Sequence, residues 1–297
     1  MEPSANVLTA ATCCDVLAHG SVRAAPAEIA SLRQNLGPVP GHPLPTGFLR
    51  HADEQTVVGL AAVLQAIATH GLAGQRFTEW GVLASPRYLG RLTLAAAIDR
   101  FKTEGAWGVS PHVIPHRMLH SISGAISQVL KIHGPNLGVG GGPGGLLEVF
   151  RMAAGMLHGD RLPGLWVVLT GWDPEPIPGE AQPGEARCIG VALALTAPRA
   201  YPRGRRLRLT LADQRRTASG KVRGGATPDV LDLDTLLAAL DAIDVRSAGV
   251  VWQLEDGGRL ELEKAEACNS LAGPHGCGFG GGRVGVGSSG AGAEDSP

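Results

Sequence analysis

A turn built of five glycines and one proline, Gly140-Gly141-Gly142-Pro143-Gly144-Gly145, is the pattern that first suggests chemistry. A helical pattern follows it directly, and the backbone N–H groups of such a turn can approach a phosphate. Gly140, Gly142 and Gly145 match G-x-G-x-x-G, and Asp173 lies just past the next strand pattern, which outlines a nucleotide-binding Rossmann-like site.

Three features of the sequence weigh against a phosphate-binding turn. Gly134-Pro135 interrupts the strand that should precede it, and Asp173 lies further on than the usual spacing of about 20 residues. Leu146-Leu147 stands where a Walker loop needs its Lys-Ser/Thr pair, which excludes that loop. The more economical interpretation is that the glycines let the following helix approach the strand closely.

Other residues with metal or nucleophile chemistry form no complete set. His116 and His120 would share one face of a continuous helix and could hold zinc, but Pro115 leaves His112 in the preceding loop and no Glu or Cys completes the site. The five cysteines match neither a disulfide framework nor a CxxC metal pair. We expect neither a metal nor a cofactor, and we interpret the cysteines as small buried hydrophobic residues in a reducing compartment.

The near-zero net charge argues against partners that bind through a strong electrostatic field of the protein. With 26 basic and 27 acidic side chains the net charge is -1, so neither nucleic acid nor an anionic membrane surface is expected as a partner. We interpret one basic group as a solvated surface, although an acidic partner protein would fit it: Arg199, Arg203, Arg205, Arg206, Arg208, Arg215 and Arg216. Asp232, Asp234 and Asp241 are interpreted as surface and capping residues. Because no apolar run approaches about 18 residues and no signal peptide is visible, a cytoplasmic protein is expected.

The elements that position these residues follow from hydrophobic periodicity. Helical spacing predicts helices over residues 53–70, 92–101, 117–131, 146–157 and 231–243. Apolar or alternating runs predict strands over residues 7–16, 80–84, 165–170, 187–196 and 206–211, and a closing hairpin over residues 249–263. Residues 20–50 are rich in Pro and Gly and are predicted to be irregular. The alternation of strands and helices favours an α/β fold, with a mostly parallel mixed sheet flanked by helices.

Residues 108–173 resemble the N-terminal half of a β-ketoacyl synthase, a member of the thiolase-like superfamily. Residues 109–115 resemble the loop that leads into the family's long buried helix. Gly134-Pro135-Asn136 resembles the signature that precedes the nucleophile strand, and it is the most specific piece. The glycine turn is placed like the nucleophile elbow, and residues 165–173 resemble the strand that ends in two glycines and an acid. Weaker matches extend the resemblance to residues 7–211.

The departures from the family determine the expected function. The family's nucleophilic cysteine would fall at Pro143, which has no nucleophile and no backbone N–H for an oxyanion hole. No stretch after residue 211 resembles the segment that carries the family's catalytic histidines. The resemblance therefore implies one synthase-like domain over residues 1–265, followed by a Gly/Ser-rich disordered tail over residues 266–297. Within that domain we interpret the turn as a structural elbow, or part of a pocket, formed by Gly134, Pro135, Asn136, Gly140, Gly141, Gly142, Gly144 and Gly145.

The resemblance implies a non-catalytic protein that acts as an accessory or chain-length-factor-like partner in fatty acid or polyketide-type biosynthesis. The family's elbow strand pairs across a two-fold axis, so a homodimer or a heterodimer with an active ketosynthase is expected, with acyl carrier protein as a further partner. Two alternatives stay open. Residual acyl-carrier-protein chemistry could use Ser123 or Cys188, or the chain could be a Rossmann-like nucleotide-binding protein.

Overall fold

The fold is known from a computed structural model, which describes residues 12–37, 41, 44–111, 113–142, 144–159, 162–180, 184–197, 206–213, 229–242, 249–253 and 258–265. The described strands are β1 (Thr12–Ala24), β2 (Gly81–Pro86), β3 (Asn136–Gly138), β4 (Leu165–Asp173), β5 (Arg187–Thr196), β6 (Arg206–Asp213), β7 (Asp229–Val230), β8 (Val250–Gln253) and β9 (Gly258–Ala265). The described helices are α1 (Pro26–Asn35), α2 (Glu54–Thr69), α3 (Arg91–Glu104), α4 (Val113–Arg117), α5 (His120–Leu130), α6 (Gly145–Gly159) and α7 (Leu233–Ala242), with a 3-10 turn at Gly105–Gly108.

The strands form one mixed sheet in the order β3-β2-β4-β5-β1-β6-β9-β8-β7. This confirms the α/β class and the mixed sheet. Parallel pairing, however, is confined to β2 with β3, β2 with β4, and β7 with β8, while the other five described pairings are antiparallel. The sheet contains fewer parallel pairs than the sequence suggests, because β5 pairs antiparallel with β4, and β9 pairs antiparallel with β8.

Two apolar layers cover the two faces of the sheet. Alternate residues of β4 point to opposite sides: Trp166 and Val168 pack with α2 and α5, whereas Val167 and Leu169 pack with α6 and α7. A strand covered on both faces reads as a continuous apolar run, and β4 and β5 were predicted on that basis. The result is a three-layer arrangement with parallel pairs at both ends of the described sheet, β3-β2-β4 at one end and β8-β7 at the other.

Helix α2 is the most deeply buried helix, with twelve of its sixteen residues inside. Glycines bring it against the sheet: a Cβ on Gly20 would lie 2.4 Å from the Ala62 carbonyl oxygen, and one on Gly190 would lie 2.8 Å from the Val58 carbonyl oxygen. These close approaches let the helix backbone contact strand backbone directly. None of the described helices is long and apolar enough to cross a lipid bilayer.

The prediction that residues 20–50 are irregular is wrong over two stretches. Strand β1 continues to Ala24 because it pairs with β5 along its whole second half. Helix α1 then begins at Pro26, a residue favoured at the first helical position. The Glu28 side chain accepts a hydrogen bond from the Ala25 N–H at 2.6 Å and caps that helix.

The predicted helix over residues 117–131 is interrupted near its start. Helix α4 ends at Arg117, and α5 begins at His120. Between them the Ser121 hydroxyl accepts from the Met118 N–H and donates to the Pro115 carbonyl oxygen, each at 3.0 Å. These side-chain bonds replace backbone helix bonds, which is how serine commonly ends or bends a helix.

Asp53 caps α2 and connects it to α4. Its Oδ1 accepts from the Gln55 N–H at 3.0 Å, and its Oδ2 lies 3.4 Å from Arg117 Nε. Only 3% of the residue is exposed. Burial raises the pKa of the Asp53 carboxyl from 3.8 to about 6, with a smaller contribution from the Glu54 charge, and Arg117 and Arg33 oppose the rise only in part.

We predict a pH-dependent stability contribution from Asp53. The folded protein keeps the Asp53 proton up to about pH 6, whereas an unfolded chain releases it near 3.8, so protonation favours the folded state between these values. The difference in unfolding free energy between the wild type and Asp53→Asn should therefore fall by about 2–3 kcal/mol as pH rises from about 4 to 7. Urea denaturation across that range measures it.

The exposed Asp99, which pairs only with Lys102 on the same helix, supplies the control. Because an exposed ion pair contributes at most about 1 kcal/mol, the wild-type minus Asp99→Asn difference should stay below about 1 kcal/mol at every pH. A wild-type minus Asp53→Asn difference that rises with pH would show that Arg117 outweighs burial, and would contradict the prediction.

Candidate functional site

The glycine turn joins β3 to α6 beside the carboxyl ends of β2 and β3. The Val139 N–H donates to the Ala84 carbonyl oxygen at 2.8 Å, and the Tyr88 N–H donates to the Gly141 carbonyl oxygen at 3.0 Å. The turn is thus hydrogen-bonded to β2 and to the loop that follows β2. Pro143, the residue at the nucleophile's position, lies outside the described residues.

Several glycines of the elbow have neighbours that leave no room for a side chain. A Cβ on Gly134 would lie 2.3 Å from the Trp80 carbonyl oxygen, and one on Gly145 would lie 2.6 Å from Ser85 Oγ. Gly140 has a φ of +74°, and a Cβ there would lie 2.6 Å from the Gly145 Cα. These contacts are the close packing of helix on strand that the sequence suggests.

The remaining elbow residues divide into packed and open positions. Gly141 has a φ of +114°, and on β3 just before the turn a Cβ on Gly138 would lie 2.3 Å from the Leu119 carbonyl oxygen. By contrast, a Cβ on Gly142 or Gly144 would have no heavy atom of the described residues within 4 Å. The open positions are the ones that flank residue 143 in the sequence.

Pro135 and Asn136, at the start of β3, form hydrogen bonds to β2 and α5. The Pro135 carbonyl oxygen accepts from the Val82 N–H at 2.8 Å. The Asn136 side-chain Nδ2 donates to Ser127 Oγ on α5 at 2.8 Å. The Gly134-Pro135-Asn136 signature therefore orients β3 against β2 and α5.

Neither alternative nucleophile has the surroundings that acyl transfer needs. Ser123 is fully buried, and its hydroxyl lies 3.2 Å from the His120 carbonyl oxygen and 3.3 Å from His120 Nδ1, both on its own helix. Cys188 is also fully buried, and burial raises the pKa of its thiol well above the ordinary value, reinforced by the charges of Asp53, Glu54 and Glu175. A thiol with a raised pKa stays protonated and is a poor nucleophile.

A cluster of polar and charged groups next to the elbow was not found from the sequence. Arg87 donates to the Trp172 carbonyl oxygen at 2.6 Å, and its Nε lies 3.3 Å from Glu175 Oε2. The Gln55 side chain donates to the Arg87 carbonyl oxygen at 2.9 Å and accepts from the Thr170 hydroxyl at 2.8 Å. These residues come from distant parts of the chain, so no local motif indicates the cluster.

Two properties mark this cluster as more than a surface ion pair. Burial raises the pKa of the Glu175 carboxyl, and the neighbouring Arg87 opposes the rise. Tyr88 has a φ of +52°, a left-handed conformation that is uncommon for a bulky residue. A cavity of about 220 Å³ lies beside this cluster, and its lining includes Asp53, Gln55, Tyr88, Arg91 and Glu175.

The predicted histidine set does not form a metal site in the described residues. His116 lies on α4 beside His51, with ring centroids 6.0 Å apart, whereas His120 begins α5 and contacts Ser123. His112 lies outside the described residues. No group of three or more His, Cys, Asp or Glu side chains that could hold a metal ion occurs in the described part of the chain.

The sheet order does not favour a Rossmann-like site. In that fold the acidic residue ends the strand adjacent to the glycine-turn strand. Here β2 lies between β3 and β4, so Asp173 at the end of β4 is two strands away from the turn. Strand β3 also has only three residues and lies at the end of the described sheet order.

Of the remaining polar candidates, Asp232 is a helix cap, as predicted. Its Oδ1 accepts from the Thr235 N–H at 2.7 Å at the start of α7. Asp234 forms an ion pair with Arg23. In the basic group, Arg206 and Arg208 belong to β6, and the others lie outside the described residues, as do Cys268, Cys277 and the tail over residues 266–297.

Comparison with known proteins identifies the fold. No protein-family model and no curated protein matches the chain. Among solved structures, a ketosynthase (ApeO) in complex with its chain length factor (ApeC) from Xenorhabdus doucetiae matches with a TM-score of 0.52 and 13% identity, covering 84% of this chain and 98% of the matched one. The ishigamide ketosynthase/chain length factor matches with a TM-score of 0.52 and 17% identity over the same shares.

A third structure, the AntDE:AntF complex of a type II polyketide acyl-carrier protein with its ketosynthase, gives a TM-score of 0.47 at 13% identity. The chain spans 63% of the length of that matched chain. At such identities a likeness concerns the fold. The described chain shares the α/β fold of these matched ketosynthase and chain length factor structures.

Proposed function

We propose that the chain is a non-catalytic, cytoplasmic ketosynthase-like protein, an accessory or chain-length-factor-like subunit in fatty acid or polyketide-type biosynthesis. The observation that carries the proposal is the elbow. Gly140 and Gly145 of the elbow pack close to Ser85 on β2, while the sequence has proline at the position of the family's nucleophile. The synthase-like domain extends over residues 1–265 in this proposal.

The chemistry of the elbow supports a structural role. A cysteine at a helix N-terminus gains a lowered pKa and nearby N–H donors, and both are needed for acylation. Proline supplies neither a thiol nor an N–H. Because Ser123 and Cys188 are both fully buried, the described residues offer no replacement among the nucleophiles considered.

The fold comparison supports a partner role. The two solved structures with TM-scores of 0.52 are both ketosynthase and chain length factor pairs, and the chain covers 98% of each matched chain. A protein of this fold without a nucleophile fits the accessory position of such a pair. We infer that it assembles with an active ketosynthase, or with itself.

One surface has the properties of a subunit interface. Strand β3 has a single neighbour among the described strands, so its other edge is open there. Beside it Leu137, Leu119 and Met118 are 41%, 36% and 50% exposed. An open strand edge lined with apolar side chains is a template for pairing with another chain.

Helix α3 extends the apolar surface of the protein. None of its fourteen residues is buried, and Ile98, Phe101 and the following Trp107 are 57%, 56% and 100% exposed. A helix that buries no residue gains little from its own domain. Contact with a partner would bury this apolar surface. Aromatic residues such as Phe101 and Trp107 are enriched in interface cores, which fits such a contact.

The acyl-enzyme test addresses catalysis directly. Incubation with an octanoyl thioester of N-acetylcysteamine should give no mass increase in the intact protein, because no accessible nucleophile stands at the elbow. Intact-protein mass spectrometry measures it, with an active ketosynthase as the positive control. A stoichiometric octanoyl adduct would contradict a non-catalytic role, and peptide mapping would then locate the nucleophile.

A pair of glycine substitutions tests the structural role of the elbow. Gly138→Ala forces a Cβ against the rigid Leu119 carbonyl and should lower the unfolding free energy by about 2–3 kcal/mol. Gly142→Ala meets no neighbour and should change it by less than about 0.5 kcal/mol. Equal effects of the two substitutions, measured by urea denaturation, would show that the elbow is not packed as described.

Substitution at the strand edge tests the interface. Leu137→Arg places a charge on the open edge and should weaken self-association, or association with a co-purified ketosynthase, at least about tenfold. Sedimentation equilibrium measures the dissociation constant. Val251→Arg is the matched control, because Val251 is 39% exposed on β8 near the opposite end of the sheet. Dissociation caused by the Val251 variant alone would place the interface elsewhere.

A further inference from the structure

A small pocket lies between α1, α4 and the loop that precedes α2. We call it the arginine pocket, and it has a volume of about 260 Å³. Its lining includes Arg33 of α1, Arg50 and His51 of the loop, and Arg117 of α4. The volume is below the range of about 300–1,000 Å³ that is usual for drug-sized ligands, so the pocket suits a small ligand or one group of a larger ligand.

Positive charge dominates the arginine pocket. Its described lining has three guanidinium groups and a single carboxylate, that of Glu54, which lies 3.3 Å from Arg33 Nη2. Arg117 also has an acidic neighbour, because its Nε lies 3.4 Å from Asp53 Oδ2. Arg50 has neither an ion pair nor a hydrogen bond to its side chain among the described residues. A guanidinium without a counter-charge beside two others produces a positive potential, which favours an anion.

Backbone carbonyl groups hold two of the three guanidinium groups in place. Arg33 Nη2 donates to the Ala52 carbonyl oxygen at 3.1 Å. Arg117 Nη1 donates to the His51 and His116 carbonyl oxygens, each at 3.2 Å. The Arg33 and Arg117 side chains nevertheless keep 26% and 16% of their surface exposed. Donors held in position lose little conformational entropy when a ligand binds.

These arginines also have donors that the described protein does not use. Arg33 Nη1, Arg117 Nη2 and the whole Arg50 guanidinium have no hydrogen-bond partner among the described residues. The planar fork of a guanidinium matches the oxygen atoms of a phosphate, which can accept from more than one arginine at once. The largest apolar side chain in the described lining is Val113, so the pocket offers little to an apolar ligand.

We propose that the arginine pocket binds a phosphate group, either as the free ion or as part of a small phosphomonoester. The phosphate oxygens accept from Arg50 and from the unused terminal nitrogens of Arg33 and Arg117. The proposal does not depend on the proposed function, because it uses neither the elbow nor the open edge of β3.

Inorganic phosphate and glycerol 3-phosphate are the probes for the full-length protein, and acetate is the comparison anion. Isothermal titration calorimetry at pH 7.5 and constant ionic strength measures binding without changes in screening. Phosphate should bind with a dissociation constant of about 1 mM or tighter, and acetate should bind at least about tenfold more weakly.

The two probes also distinguish the sources of the phosphate group. Binding of glycerol 3-phosphate, with or without inorganic phosphate, supports a phosphomonoester as the ligand. Binding of inorganic phosphate alone supports the free ion. If neither probe binds, or if acetate binds more tightly than both, the proposal is overturned.

Arg50→Gln removes the guanidinium that has no other partner. It should weaken phosphate binding about tenfold or more, the effect of one charge-assisted hydrogen bond, and leave the melting temperature without phosphate unchanged to within about 2 °C. Arg76→Gln removes the same charge from the exposed loop after α2 and should change phosphate affinity by less than about twofold. Unchanged affinity in Arg50→Gln, or an equal loss in both variants, would overturn the site.

Glu54→Gln tests the role of Arg33 through an effect of opposite sign. It keeps the shape of the side chain and removes the carboxylate that competes with an anion for the Arg33 guanidinium. Phosphate binding should tighten at least about threefold, because a like charge next to the anion is gone. Damage to the fold cannot tighten binding, so the sign of the change is informative. Unchanged or weaker phosphate binding in Glu54→Gln would overturn the proposed site.

Discussion

The burial of α2 between the sheet and α5 is the constraint on which the rest of the structure depends. Twelve of its residues are inside, and Gly20 and Gly190 let its backbone touch β1 and β5. A helix buried this way cannot rotate or slide without opening cavities, since protein interiors are close-packed. Asp53 fixes its first turn, and Arg117 connects that turn to α4. The orientation of α4 and α5, and with them β3 and the elbow, follows from this arrangement.

Elements with strong apolar periodicity could be predicted from the sequence, and those held by single polar contacts could not. Helix α2 and strands β4 and β5 follow from hydrophobic pattern because burial alone determines them. The break between α4 and α5 depends on one hydroxyl, that of Ser121, which bonds two backbone groups. Strand β1 continues past the predicted end because its partner β5 is long, and such a long-range pairing leaves no local signal.

The same distinction holds for the candidate site. The sequence indicated a structural turn after Gly134-Pro135-Asn136, because the residues that suggest it are adjacent in the chain. In the structure each of these three residues contacts a neighbouring strand, loop or helix. The cluster of Arg87 and Glu175 next to the elbow was missed, because its members are 88 residues apart and meet only when β2 and β4 pair. An elbow whose packing comes from glycines and from backbone bonds does not require a nucleophile to keep its shape. Proline at position 143 is therefore compatible with the fold shared with the matched structures.

Two buried polar side chains at the start of α2, Asp53 and Thr56, differ in whether they have hydrogen-bond partners. Asp53 has a backbone N–H and an arginine as partners, and even so burial raises the pKa of its carboxyl to about 6. Thr56, three residues later, is equally buried and has no partner for its hydroxyl among the described residues. Valine at position 56 would fill the same space without a polar group to satisfy, so packing does not account for threonine there. Burial on one turn of the helix therefore raises the pKa of a paired carboxyl and leaves an uncharged hydroxyl without a hydrogen bond.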